Sequence, residues 1–355
     1  MARTLKNILV TGGCGFIGSN FIRYMFEQKE FKGKVINVDK LTYAGNPLNL
    51  SEISSKYGDE RYFFYKTDIC DDIAIESIWD NHDIDTVVHF AAESHVDRSI
   101  HGPKEFIKTN ITGTFNLLET AREKWNGKNG VLFHHISTDE VFGSLGDTGY
   151  FYEDTAYDPR SPYSASKASS DHIVRAYFHT YGLPITLSNC TNNYGPYHFP
   201  EKLIPLMISN MLESKNLPVY GDGKNIRDWL FVTDHCDAIW RILQSGKTGE
   251  SYNVGGENEW ENIKLVNVLC EKVAVYKGLD KDAFKGLITF VKDRPGHDRR
   301  YAINCDKIKK ELGWKQSVTF EEGLNETVKW FFENISWIES VKSGDYKKWI
   351  EKNYG

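Results

Sequence analysis

At 355 residues, with Lys+Arg 43 against Asp+Glu 49 and a formal net charge of -6, the chain can bury a large core and is too acidic to coat a nucleic-acid backbone or an anionic membrane. Any phosphate it binds must therefore be met by a few placed basic side chains. Its six cysteines, Cys14, Cys70, Cys190, Cys236, Cys270 and Cys305, are scattered without a C-x-x-C pair, which argues against a zinc site or disulfide framework and fits a reducing cytoplasm.

From Met1 a few mostly polar residues lead straight into Ile8-Leu9-Val10, so a signal peptide is not expected. No apolar run approaches the ~20 residues that span a bilayer, and a soluble protein is expected. Short β-branched runs then alternate with helical stretches. In chain order they are a strand at Asn7-Thr11, a helix from Gly15 to about Gln28, strands at Val35-Asp39, Tyr62-Lys66 and Thr86-Phe90, and a helix near Ile107-Trp125. A strand at Leu132-Ser137, a helix after Tyr163 and a strand at Thr186-Asn189 follow. This alternation predicts an α/β fold, a doubly wound parallel sheet of the Rossmann type. After Cys190 the rhythm changes, with Pro196, Pro200, Pro205 and Pro218 and glycine turns near 221–223 and 255–256. Residues 1–190 are thus expected to form the dinucleotide-binding domain, with segments near 226–252 and 301–311 returning to it. Residues 191–355 should form mainly a smaller, interleaved substrate-binding domain.

Thr11-Gly12-Gly13-Cys14-Gly15-Phe16-Ile17-Gly18 joins the first strand to the first helix, where a glycine turn lets a pyrophosphate approach backbone N–H groups at a helix N-terminus. Gly12, Gly15 and Gly18 repeat every third residue, and Gly13, Gly15 and Gly18 also satisfy G-x-G-x-x-G. Asp39, followed by Lys40, ends the second strand about 20 residues beyond, where a carboxylate accepts hydrogen bonds from a ribose hydroxyl. That charge would repel a 2′-phosphate, so NAD is expected rather than NADP.

Tyr163-Ser164-Ala165-Ser166-Lys167 places a phenol and an ammonium at i, i+4 on one helical face. A free phenol, with a pKa near ~10, is a poor base, and a neighbouring lysine and the positive nicotinamide are expected to favour phenolate. With Thr138 at the end of the preceding strand, Tyr163 and Lys167 compose an alcohol-oxidising triad. His134 and His135 are adjacent on a strand and point to opposite faces, so no metal site is expected.

The segments T-G-G-C-G-F-I-G-S, A-A-E-S-H-V-D-R-S at Ala91-Ser99, S-T-D-E-V-F-G at Ser137-Gly143 and N-N-Y-G-P-Y at Asn192-Tyr197 resemble those of the dTDP-glucose 4,6-dehydratases, a family of extended short-chain dehydrogenase/reductases. The resemblance extends through Phe199-Pro205, Asn225-Trp229 and Asp293-Tyr301; Cys14 and Phe142 depart from the usual alanine and tyrosine. It implies that Asp68-Ile69 meet the adenine and Ala91-Ala92 the nicotinamide-side ribose. It also implies Glu140 as the base for the sugar C5 proton and Asp139 as the acid for the C6 oxygen. The diphosphate should meet Arg227 and Arg294. By the same resemblance Asn192, Glu201, Lys202, Leu203, Pro218, Tyr220, Asn262 and His297 line the base, sugar or phosphate positions, and His95 and Asp97, near the fourth strand, are expected to approach the hexose. A homodimer is implied through a four-helix bundle of the helices near Ile107-Trp125 and Ser164-Thr180.

The expected reaction is oxidation at C4, loss of water across C5 and C6, and hydride return to C6, giving dTDP-4-keto-6-deoxyglucose. Competing readings are a UDP-sugar 4-epimerase, which has no use for the Asp139-Glu140 pair, a UDP-glucose 4,6-dehydratase, differing by one methyl group on the base, and a noncatalytic NAD-sensing protein.

Overall fold

The strands of the main sheet are short runs of β-branched, aromatic and aliphatic residues, several with no exposed position, as a sheet covered on both faces requires. A computed structural model describes residues 3–342. In chain order the strands are β1 (Asn7–Thr11), β2 (Lys34–Asp39), β3 (Tyr62–Lys66), β4 (Thr86–His89), β5 (Leu132–Thr138) and β6 (Ile185–Cys190). They continue as β7 (Asn192–Tyr194), β8 (Leu217–Tyr220), β9 (Ile226–Phe231), β10 (Ser251–Val254), β11 (Glu259–Glu261) and β12 (Ile288–Val291).

The main sheet has the order β10-β6-β5-β4-β1-β2-β3, and every neighbouring pair is parallel. One face is covered by the helices Phe16–Glu27 and Val232–Ser245 over a core that includes Ile8, Val10, Phe21, Ile239 and Leu243. The helices Asp72–His82, Thr114–Lys124 and Pro162–Tyr181 cover the other over Leu9, Ile36, Leu117 and Val174. The doubly wound architecture agrees with the sequence pattern. Strand order reverses at β1, and a crevice opens there beyond the carboxyl ends of β1 and β4.

A second core, around Tyr194, Trp229, Leu265, Leu269 and Phe331, lies beneath the helices Leu203–Leu212, Asn262–Tyr276 and Phe320–Glu333. Two small sheets, β11-β9-β7 and β12-β8, frame it. The chain crosses repeatedly between the two cores. β9 stands in a small sheet, the helix Val232–Ser245 packs on the main sheet, and β10 completes that sheet's edge.

Two local features differ from the sequence-based expectation. The helix Asp72–His82 was not anticipated, because Ile75, Ile78 and Trp79, its buried positions, sit in an acidic stretch; the Asp71 side chain caps it by accepting from Ala74 N. The expected helix at 107–125 begins as a π-helical turn, Ile107–Gly113. Asn110 explains its value. It is buried and clamps the chain leaving β4, accepting from Glu93 N (2.8 Å) and donating to Glu93 O (3.0 Å) and Ser166 Oγ (2.8 Å).

Candidate active site

The glycine turn is dictated by close approach. Gly12 has φ +72°, and a Cβ there would stand 2.7 Å from Ala91 N; a Cβ on Gly18 would stand 2.4 Å from Gly12 O. Gly15 is the N-cap of the helix Phe16–Glu27 and supplies no side-chain cap, and no acidic residue occupies the first turn. The first-turn amides at Phe16, Ile17 and Gly18 therefore border the cleft as an anion-binding edge. Asp39 is buried and accepts from Cys14 N (2.9 Å) and Leu41 N (2.8 Å), one bond to each oxygen, so lone pairs remain for a further donor. Lys40 pairs with Asp68 at 2.8 Å, which fixes the wall beside Ile69. These residues, with Ala91 and Ala92, line one cleft of about 430 Å³, within the range of small-molecule sites. An uncapped helix start, tight glycines and a buried carboxylate with lone pairs to spare at the end of β2 suit a dinucleotide.

The chemical groups stand at the centre of the same cleft. Strand β5 delivers Thr138, Asp139 and Glu140 at its carboxyl end, where the chain turns into a single 3-10 turn. The helix Pro162–Tyr181 delivers Tyr163 and Lys167 from its first two turns, started by a Ser161 capping box and Pro162. Thr138 Oγ1 accepts from Glu140 N at 3.3 Å, and Asn189 Nδ2 donates to Thr138 O at 3.0 Å, which locks the strand end.

Electrostatics separate the two carboxyls. Burial pushes Asp139 well above the usual carboxylate range, and Glu140 and Asp228 push it further, against Arg227 and Thr138. Burial also raises Glu140, but Arg294, Lys202 and Arg227 pull it back. One carboxyl thus faces mainly anions and the other mainly cations, the arrangement that favours a proton on the first and eases ionisation of the second.

Tyr163 differs from expectation. Burial raises its phenol well above the ordinary value, and Glu140, Cys190 and Asp139 reinforce this against the Thr138 hydroxyl. The Lys167 ammonium points back to the strand instead, donating to Ile136 O at 2.8 Å and lying 3.3 Å from His135 Nε2. Burial first, and its acidic neighbours second, therefore favour the protonated phenol in the free chain.

The far wall brings residues from the second core over these groups. Arg227 lies above the Tyr301 ring at 4.3 Å and donates to Asp298 O at 2.9 Å. Arg294 Nη1 pairs with Asp97 Oδ1 at 3.3 Å, while its buried Nε has no hydrogen-bond partner among the described residues. Tyr220 donates to Asp97 Oδ2 at 3.1 Å, and His95 Nδ1 lies 4.0 Å from the same oxygen. Glu201 is buried against Arg98 at 3.0 Å, and Lys202 Nζ donates to Ser94 O at 3.0 Å. His297 is held by Asp293 at 2.6 Å, and burial with Arg294 and Arg227 brings it down to about 4, so its ring is neutral at pH 7. Asn192, Leu203, Pro218 and Asn262 complete the wall, and Asn262 Oδ1 is buried without a partner. Every site residue named from the sequence borders this one cleft.

Two cleft residues, Tyr301 and His198, escaped the sequence reading. Tyr301 backs Arg227 and donates to Asp298 Oδ2 at 2.6 Å; its position at the end of the Asp293-Tyr301 motif was the available signal. His198 stacks on Phe16 at 4.3 Å with Nδ1 unpartnered among the described residues; Asp97, named from the sequence together with His95, anchors Arg294 and Tyr220. Nothing local marked His198, because its contact joins positions far apart in the chain.

Residues 9–327 match the family model described as GDP-mannose 4,6 dehydratase. The chain is 55% identical over 361 residues to a dTDP-glucose 4,6-dehydratase of Escherichia coli, covering 98% of each chain. A solved dTDP-glucose 4,6-dehydratase from Streptomyces venezuelae with NAD bound superposes with a TM-score of 0.87 at 44% identity, covering 95% of this chain and 100% of that one. A UDP-glucose 4-epimerase from Thermotoga maritima superposes with a TM-score of 0.81 at 30% identity, over 93% and 99% of the two chains.

Proposed function

The chain belongs to the dTDP-glucose 4,6-dehydratase family, and from that premise we propose that its cleft converts dTDP-glucose to dTDP-4-keto-6-deoxyglucose with NAD as cofactor. The observation that carries this reading is the Asp139-Glu140 pair, set beside Thr138, Tyr163 and Lys167 and divided by charge into an acid and a base. An epimerase needs only the triad.

The Gly12-Gly18 turn would hold the pyrophosphate of NAD, Asp39 the adenosine ribose, Asp68 and Ile69 the adenine, and Ala91, Ala92 and Lys167 the nicotinamide side. When bound, NAD supplies a hydride acceptor that is restored in each turnover and a positive ring beside the phenol. Tyr163 takes the proton of the C4 hydroxyl while Thr138 holds that oxygen. Glu140 removes the C5 proton, made acidic by the adjacent ketone, and Asp139 protonates the departing C6 hydroxyl. Glu140 then returns its proton to C5. Arg227 and Arg294 meet the diphosphate as placed cations on an acidic protein.

Residues 1–190, with the returning segments near 226–252 and 301–311, are read as the cofactor-binding domain, and most of the remainder as the substrate-binding one. A homodimer through a four-helix bundle is part of this reading. Ile107, Phe115 and Tyr181 are about half exposed on the two helices concerned, an apolar surface that a second copy would cover. No helix of the described residues is long and apolar enough to cross a membrane, and the six cysteines are free thiols, suited to the cytoplasm. Incubating the pure protein with dTDP-glucose tests the central reading. Appearance of the 4-keto-6-deoxy product supports it, and a 4-epimer as sole product refutes it.

A further inference from the structure

Behind Lys167, away from the cleft, lies a polar cluster that the reaction scheme does not use. His135 Nε2 is 3.3 Å from Lys167 Nζ and 3.2 Å from Asp171 Oδ1. Asp171 stands one helical turn beyond Lys167 on the same face, and its other oxygen accepts from Ser137 Oγ at 2.7 Å and Tyr157 OH at 3.0 Å. His135, Ser137, Lys167 and Asp171 are all buried, His135 and Asp171 completely.

A buried ammonium persists only where an opposite charge and hydrogen-bond acceptors offset its lost hydration. Lys167 has one carbonyl acceptor, Ile136 O, and the carboxylate that stabilises it electrostatically is Asp171. His135 Nδ1 is buried and has no hydrogen-bond partner among the described residues. An ammonium only donates, so Lys167 places its second hydrogen bond on His135 Nε2, and Asp171 Oδ1, which accepts no hydrogen bond among the described residues, acts on Lys167 through its charge.

We propose that Asp171 and His135 are positioning residues that keep Lys167 charged and fixed at the base of the active site, with Ser137 and Tyr157 orienting the carboxylate. The proposal rests on the reading of Tyr163 and Lys167 as the alcohol-oxidising pair. The groups facing Lys167 are His135 from β5, Cys190 from β6, Asp171 from its own helix and, beside His135, His89 from β4. Tyr157 and Arg175 lie behind Asp171. Burial lowers Lys167, whereas Asp171 and Cys190 raise it. Removing the Asp171 charge therefore lets Lys167 lose its proton at lower pH.

Two measurements decide the matter. In protein labelled with 15N at histidine, His135 should be a neutral ring with Nε2 unprotonated from pH 6 to 9; a cationic or Nε2-protonated ring overturns the proposal. In the NAD-loaded enzyme, Asp171→Asn should move the alkaline limb of kcat for dTDP-glucose down by about one pH unit or more. Ser137→Ala, which removes one donor but no charge, should leave that limb in place. A drop in kcat by the same factor at every pH, with the limb unmoved, overturns the proposal, since loss of packing alone would act that way. If the wild-type protein forms no keto product, the functional reading has failed, and the labelled-histidine measurement alone judges the pair.

Discussion

Thr138 Oγ1 donates to Asp139 Oδ1 at 3.3 Å, while Asp139 Oδ2 is buried with no hydrogen-bond partner among the described residues. The second oxygen is thus the place for a proton that can be given to a leaving hydroxyl. Asp139→Asn keeps the shape and removes that proton. Oxidation at C4 should persist in this variant, while water loss slows by about 10²-fold or more, as expected when a general acid is removed. Rapid-quench analysis with dTDP-glucose labelled at C4 would separate the two steps, and unimpaired elimination would contradict the acid assignment.

The charge environment of Glu140 sets a pH dependence. Its folded-state value lies above the ordinary glutamate range because of burial, and Arg294, Lys202 and Arg227 restrain it. The base must be ionised, so kcat should fall as pH drops through a value above ~4.3, the unperturbed position. Arg294→Met removes one restraining charge and should shift this acid limb to higher pH, while weakened diphosphate binding raises KM. A limb that stays in place in the variant would separate Arg294 from Glu140.

Gly12→Ala tests the turn. The added methyl meets Ala91 N at 2.7 Å in a backbone with φ +72°. A destabilisation of about 1–3 kcal/mol is expected from strain alone, with loss of NAD binding. Thermal unfolding and cofactor titration measure the two effects separately.

The apolar surface at Ile107 and Phe115 is the basis of the dimer reading. Replacing both with glutamate would bury like charges at a two-fold contact. Sedimentation should show monomers for the double variant and dimers for the parent; a monomeric parent would remove the bundle from the proposal.

What was legible in the sequence was local. The glycines at 12, 15 and 18 and the Tyr163-Lys167 pair carry their geometry in their spacing, because one turn or one helical face enforces it. The charge division between Asp139 and Glu140 was not legible. It depends on Asp228, Arg227, Lys202 and Arg294, which the chain supplies from 60 or more residues away. The same holds for Asp171, whose partners on β5 become visible only when the helix docks on the sheet. Asn110 needed a π turn to reach Glu93, and helical periodicity alone predicts a plain α-helix there.

The interleaved path of the chain bears on how the enzyme is made. The glycine turn, Asp39, Asp68, Tyr163 and Lys167 all precede residue 190, whereas Arg227, Arg294 and Tyr301 follow it and β10 closes the sheet edge only at residue 254. On a ribosome, where N-terminal portions fold first, the nascent chain acquires the parts proposed to grip a dinucleotide well before those proposed to grip a sugar. Cofactor capture by stalled chains of increasing length would read out that order, and the mature cleft would then close around a dinucleotide already in place.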